Sequence, residues 1–155
     1  MLTQAEADHL ITIDKQFSDT RQSITFPSPG QTITASLESL DGRERFQLDI
    51  ETGRLTKRWK LQLRYRSVEV LIRLDMGGPA HLNPANAPNR GLSAYEGKRI
   101  ETPHIQQYVE GYNDKWALPL PSQFDPIDDV NVIWREFLKY CNIIVIPGLQ
   151  GRLIL

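Results

Sequence analysis

The chain is poor in reactive sulfur and in long apolar runs, and each shortage removes a class of protein. A lone cysteine, Cys141, among 155 residues excludes an internal disulfide framework and any cysteine-based zinc site. It fits a reducing compartment, so a cytoplasmic location is expected. The N-terminal Met1-Leu2-Thr3-Gln4 has neither a basic region nor an apolar run, which argues against a signal peptide. The longest apolar stretch near the end, Ile143 to Pro147, is far too short to span a bilayer, so no membrane association is expected. No repeat or low-complexity segment is present. Net charge is also nearly absent, at −1, so the chain as a whole is not drawn to nucleic acid.

What is there is globular: 40% hydrophobic and 24% charged residues, enough for one ordinary domain spanning 1–155 and too short for two comfortable ones. The charge is unevenly spread. Residues 54–73 hold Arg54, Lys57, Arg58, Lys60, Arg64, Arg66 and Arg73 against Glu69 alone, a local balance of +6. A basic segment on a neutral chain points to a localised anionic partner.

The pattern along the chain predicts an α+β fold. Thr3 and Glu6 form a capping box, and Ala7, Leu10, Ile13 and Phe17 follow at helical spacing, predicting a helix over 4–17. Alternation then predicts strands around Ile33–Leu37, Phe46–Ile50 and 55–66, with turns at Asp41-Gly42 and Glu51–Arg54. In 55–66, Leu55, Trp59, Leu61, Leu63 and Tyr65 share one face, and Arg58, Lys60, Arg64 and Arg66 form a basic ladder on the other. Val68, Val70, Ile72 and Leu74 continue the apolar face on the next strand. Residues 77–101, with four Gly, three Pro and three Asn, read as a long loop. Two strands follow, 104–110 and 115–119. A helix capped by Asp125, with Pro126 at its first position, carries the stripe Ile127, Val130, Trp134, Phe137, Leu138 and Cys141. Asn142 is its C-cap, and Ile143–Ile146 is a short β-like tail. Assembled, this gives a curved antiparallel sheet of five to six strands with an N-terminal and a C-terminal helix packed on one face.

Two constellations carry possible chemistry. The ladder Arg58, Lys60, Arg64 and Arg66 suits a nucleic-acid backbone or another acidic partner; the bland alternative is a solvated sheet face. The second gathers His81 with Asn83, His104, Tyr108, Glu110, Arg73 and Lys115. An imidazole titrates near neutrality and serves as acid or base, and nearby cations stabilise a charged phosphate. His104, Gln106, Tyr108 and Glu110 share strand parity and are expected on one face; their bland reading is a polar face of structural hydrogen bonds. A metal reading would take Asp75, His81, His104 and Glu110, but no metal-ligand spacing supports it, so neither metal nor cofactor is expected. Trp59, Trp134 and Cys141 read as core, Trp116 as a neighbour of the site, and His9 as surface.

The runs "LRYR…LIRLDMGGPAHLNP", "TPHIQQYVEGYNDKWALPLP" and "FLKYCNI" resemble an uncharacterised domain-of-unknown-function family of small bacterial and prophage proteins, and are distantly similar to TumE-type toxins of toxin–antitoxin systems. On that resemblance Arg73, Asp75, His81, Asn83, His104, Tyr108, Glu110, Tyr112, Lys115 and Trp116 fall on the family's polar positions. Two departures stand out: Gln106 replaces a second histidine, and Asn86–Glu101 is inserted. The resemblance implies a toxin-like, metal-independent endoribonuclease or RNA-binding protein of a mobile element, with a possible cognate antitoxin, as monomer or dimer. The lost histidine opens the alternative of a non-enzymatic phage or plasmid inhibitor that binds a host nucleic-acid-handling defence complex.

Overall fold

A seven-stranded antiparallel sheet forms the centre of the molecule, two helices pack into its core, and a small hairpin attaches to one edge. The computed structural model describes residues 1–19, 23–55, 57–144 and 149–150. In chain order the elements are α1 (Gln4–Thr12), β1 (Lys15–Phe17), β2 (Ile24–Thr25), β3 (Thr32–Ser39), β4 (Arg45–Thr52), β5 (Trp59–Tyr65), β6 (Glu69–Met76), β7 (His81–Leu82), α2 (Arg90–Ser93), β8 (Arg99–Ile100), β9 (His104–Val109), β10 (Asn113–Pro119), a 3₁₀ turn (Ser122–Phe124), α3 (Val130–Tyr140) and β11 (Leu149–Gln150). The sheet order is β1-β3-β4-β5-β6-β9-β10, so the fold is α+β with more strands than the five to six expected. The extra strand is β1.

That strand takes residues the helical spacing had claimed. The capping box holds as expected: the Thr3 hydroxyl accepts from the Glu6 amide and the Glu6 carboxylate accepts from the Thr3 amide. The helix nonetheless ends at Thr12, and Lys15–Phe17 pair with Leu37–Ser39. Phe17 reaches the core from a strand, because pairing with β3 satisfies backbone groups that another helical turn would also have satisfied. The price of this arrangement is a fully buried lysine. Lys15 Nζ donates to the carbonyls of Ile11, Ile13 and Cys141 at 2.9, 2.8 and 2.9 Å and lies 5.0 Å from the Phe46 ring centroid. Burial pulls its pKa down to about 8. The ammonium thereby ties the end of α1 to the end of α3.

The core follows the predicted parity except in β6, where a register shift opposite Leu63–Arg64 buries Leu71, expected on the polar face, beside Ile72 and leaves Val70 only half-buried. Leu37, Leu48, Leu61, Leu63 and Leu74 are fully buried, in register across β3 to β6 (Leu48↔Leu63, Leu61↔Leu74). Ala7 and Leu10 of α1 and Ile133, Trp134, Phe137 and Leu138 of α3 join them, each large side chain stabilising by about 1.5–3 kcal/mol. Trp59 and Cys141 are buried as expected, and His9 is exposed. α3 starts later than predicted, with Asp129 rather than Asp125 as cap; its carboxylate accepts from the Asn131 and Val132 amides. Asn142 ends the helix at a φ of 58°, as a residue tolerant of left-handed backbone should.

The strand expected over 55–66 is shorter at both ends. Leu55 is 94% exposed and belongs to the β4–β5 connection. Arg66 and Ser67, at φ 48° and 64°, make the two-residue turn into β6, with the Val68 amide donating to the Tyr65 carbonyl at 3.1 Å. Both central residues of such a turn need positive φ. Val68 therefore lies outside β6 and is 76% exposed. The long 77–101 loop contains β7, α2 and β8, β7 and β8 pairing as His81↔Ile100 and Leu82↔Arg99. Of the predicted tail, 145–148 and 151–155 lie outside the described residues, as does Thr56 of the predicted strand. Leu149–Gln150 pair in parallel with Ile24–Thr25. No helix among the described residues is long and apolar enough to cross a membrane.

Candidate functional site

β6 and β9 pair across the long intervening segment, bringing Arg73 opposite Gln106 and Asp75 opposite His104. Because side chains alternate along a strand, these four point to the sheet face away from the Leu61–Leu74 core. The loop after β6 and the β4–β5 connection wall in the same face. The result is a cleft of about 330 Å³ lined by Glu51, Gly53, Arg58–Lys60, Arg73, Asp75, Gly77–His81, His104 and Gln106.

His104 is buried on the cleft floor. Its Nδ1 faces the Ile100 carbonyl at 3.2 Å and its Nε2 faces Asp75 Oδ2 at 3.1 Å. Both partners are acceptors, so each can take a hydrogen bond only from a ring N–H. Asp75 also accepts from Arg73 Nε at 3.0 Å, and Arg73 reaches Asp114 at 3.5 Å. Burial pushes the Asp75 carboxyl up, but the His104 hydrogen bond and the Arg73 guanidinium outweigh it and hold the group below its ordinary value.

His81 lies beside this pair, its ring centroid 6.3 Å from that of His104. Its Nε2 donates to the Lys115 carbonyl at 2.6 Å, which leaves Nδ1 as an acceptor, facing the Gln106 amide at the longer distance of 3.4 Å. The Gln106 Nε2 group is fixed by the Asp114 carbonyl at 3.0 Å, and Gln106 Oε1 is buried without a partner among the described residues. His81 also has a structural task. Together with Asn83, whose amide bonds both Ala117 N and Ala117 O at 2.8 Å, it caps the outer edge of β10. Side chains there take the place of a neighbouring strand, and Pro119 brings no N–H to the same edge.

Of the predicted catalytic set, His81, His104 and Arg73 meet in the cleft; Tyr108, Glu110 and the Lys115 side chain do not line it. The shared face expected for 104–110 holds in the cleft for His104 and Gln106 alone: Tyr108 joins the same core cluster as Ile105, and Glu110 lies past the end of β9, some 20 Å along from His104 at about 3.3 Å per residue. Tyr108 is buried in the core and donates to the Leu2 carbonyl at 2.7 Å, and Glu110 accepts from the Gln4 amide at 2.8 Å. Both serve the docking of α1. Lys115 contributes only its carbonyl, its side chain being exposed. Trp116 packs with Leu92 and Val109 in a second small cluster, with Tyr112 edge-on at 5.9 Å.

The basic ladder is reorganised more deeply. Arg64 grips the buried Asp49 through two bonds of 2.6 and 2.9 Å, Lys60 pairs with Glu51 at 3.3 Å, and Arg66 sits in the turn, 3.9 Å from Glu44. Burial would raise the Asp49 carboxyl, but bonds from Arg64, Thr34 and Gln62 hold it below its ordinary value. The sheet face is thus a cross-strand charge pairing between β4 and β5. Arg54, Lys57 and Arg58 are exposed and form no ion pair or side-chain hydrogen bond with the described residues. The open basic surface is this hairpin end, adjoining the cleft.

Asp75 and Gln106, which the sequence brought forward only in the metal reading and on the His104 face, and Glu51 and the Gly77–Gly78 pair lay outside the predicted catalytic set. The signal for two of them was present as Arg73-x-Asp75 and His104-x-Gln106, each placing two polar groups on one face; what the spacing lacks is the knowledge that these strands are neighbours. Among the described residues no three His, Cys, Asp or Glu side chains form a metal-binding group. No curated protein and no solved structure matches the chain. A protein-family model does, over residues 2–143, and the chain belongs to the family it describes, the family of unknown function DUF6978.

Proposed function

We propose that the protein acts on RNA, as a toxin-like, metal-independent endoribonuclease or RNA-binding protein of a mobile element. The observation that carries this reading is the juxtaposition of three cations without a partner among the described residues, Arg54, Lys57 and Arg58, with a cleft holding two imidazoles 6.3 Å apart. Cations supply the sequence-independent part of RNA affinity. His81 is the group that turns binding into cleavage: Nδ1, held only by the 3.4 Å contact from Gln106, takes the 2′-hydroxyl proton as that oxygen attacks phosphorus. The leaving 5′-oxygen takes its proton from the His104–Asp75 pair. Arg58 and Arg73 balance the charge on the phosphate. A toxin of this kind implies a cognate antitoxin as partner.

The test is incubation of the purified protein with single-stranded RNA in EDTA. Cleavage leaving 2′,3′-cyclic phosphate ends is expected, abolished in His81→Ala while RNA binding remains, with growth arrest on expression lost in the same variant. Intact RNA and harmless expression would sink the catalytic form.

One observation favours a second reading. Every ring nitrogen of both histidines already has a partner. A non-enzymatic inhibitor of a host nucleic-acid-handling complex fits that arrangement and predicts a tight stoichiometric complex indifferent to His81→Ala.

A further inference from the structure

We infer that the cleft is a subsite for one nucleoside monophosphate unit, gripped at its phosphate by Arg58, rather than part of a continuous track for the RNA backbone. The inference rests on the RNA reading above for its ligand class and narrows it to a single nucleotide.

Three observations lead there. The first is the pairing of the sheet face. With Arg64 on Asp49 and Lys60 on Glu51, the ladder has few free cations to follow successive phosphates. A track needs several, because each neutralised phosphate contributes separately.

The second is how Arg58 is held. Gly77 and Gly78 both have left-handed backbone, at φ 87° and 92°, and a Cβ on either would stand 3.2 Å from Arg58 Cβ or 3.3 Å from Arg58 Cδ. The bare glycine backbone is what lets the arginine stem lie against the 77–80 loop. The stem is therefore supported while the guanidinium has no carboxylate or carbonyl partner among the described residues. A planar fork supported in this way is suited to a phosphate in a bidentate pair. The Gly77 and Gly78 amides, which have no backbone partner among the described residues, are further donors on the same wall.

The third is what else the cleft offers. At about 330 Å³ it exceeds what a bare phosphate fills and lies at the small end of ligand-sized pockets. Its other lining groups include the carboxylates of Asp75 and Glu51, which have acceptor capacity beyond their bonds to His104, Arg73 and Lys60. A ligand that suits both ends carries an anion and, several bonds away, hydroxyl or amino donors. A nucleotide does; inorganic phosphate and an unphosphorylated nucleoside each supply half.

The experiment uses the full chain, with calorimetry or fluorescence competition against four probes: a nucleoside monophosphate, the corresponding nucleoside, inorganic phosphate and a single-stranded RNA oligonucleotide. The monophosphate should bind and displace the oligonucleotide, more tightly than phosphate and far more tightly than the nucleoside. Arg58→Ala should weaken the monophosphate about tenfold or more, since hydrogen bonds to charged groups are the strong ones. The exposed Arg43→Ala, on the β3–β4 turn, should leave it unchanged. Should the oligonucleotide bind while the monophosphate neither binds nor competes, or should Arg58→Ala bind the monophosphate like the parent, the single-nucleotide subsite is overturned and the RNA reading stands. Monophosphate binding without RNA binding supports the subsite and removes the RNA reading. Silence toward all four removes both.

Discussion

Arg58 and Arg64 stand six positions apart on one hairpin, and their surroundings differ in kind. Arg64 faces Asp49 across the β4–β5 ladder and is consumed by it, together with Gln62 and Thr34, which satisfy the same carboxylate at 2.8 and 2.7 Å. Arg58 precedes β5, rests on two glycines and meets no carboxylate among the described residues. One cation completes a buried polar network and the other is left for a ligand. A run of like charge in a sequence therefore says little about binding until the register of the opposite strand is known. The same contrast separates Lys15, buried with three carbonyls on its ammonium, from Gln106, buried with its carbonyl oxygen unmatched.

The comparison can be broken most forcibly at Arg64. Arg64→Ala leaves Asp49 buried without its cation and should cost about 3–5 kcal/mol of stability in urea unfolding. A loss below 1 kcal/mol would show that the sheet face is not the structural half of the pair.

Lys15 sharpens the structural side through its pH dependence. Above about pH 8 the folded chain has released this proton, while the unfolded chain keeps it up to the ordinary lysine value of 10.5. The unfolded state then binds more protons, so stability should rise with pH, by about 2 kcal/mol between pH 8 and 9.5. Lys15→Met should remove that slope and, by taking this donor from the Ile13 and Cys141 carbonyls while Ile11 keeps its bond from the Asn142 amide, lower stability at pH 7 by about 2 kcal/mol.

Asp75 tests the cleft as a folded unit. Its carboxyl is held below the ordinary aspartate value, so its contribution is present above that value and lost as pH falls through the folded one. Asp75→Asn should cost about 1–2 kcal/mol at pH 7 and flatten the acid limb of the stability profile, because the His104 and Arg73 bonds lose their charge assistance.

Arg58 should give the smallest effect on folding. Arg58→Ala is expected to shift the unfolding midpoint by no more than about 0.5 kcal/mol, as an exposed change away from any network. Combined with loss of nucleotide or RNA binding, that null result separates the ligand cation from the structural one.

Much of the fold was written locally. The start of α1 is set by Thr3 and Glu6, the β4–β5–β6 meander by an alternation broken only where a register shift buries both Leu71 and Ile72 and where Asp49 is buried, and the interior fate of Trp59, Trp134 and Cys141 by the faces they share. Phe17 was misread because a three- or four-residue spacing cannot tell a fourth helical turn from an edge strand; pairing with β3 chose. Asp125 and Asp129 both offer a capping carboxylate, and only the described helix tells which amides are close. For the site, His81, His104 and Arg73 were legible as a polar cluster, whereas Tyr108 and Glu110 were drawn in by parity alone, which fixes a face but not a distance.

The amino-acid sequence by itself determined the elements with a local cause: caps, turns at Gly and Asn, and the two-residue alternation that divides an apolar face from a polar one. Tertiary structure decided which polar faces meet. The pairing of β6 with β9 closes a loop whose length carries no register information, and the pairing of β4 with β5 sets carboxylates against arginines. These long-range registers assembled His104 with Asp75, retired Arg64 into the Asp49 network, and left Arg58 exposed on its two glycines.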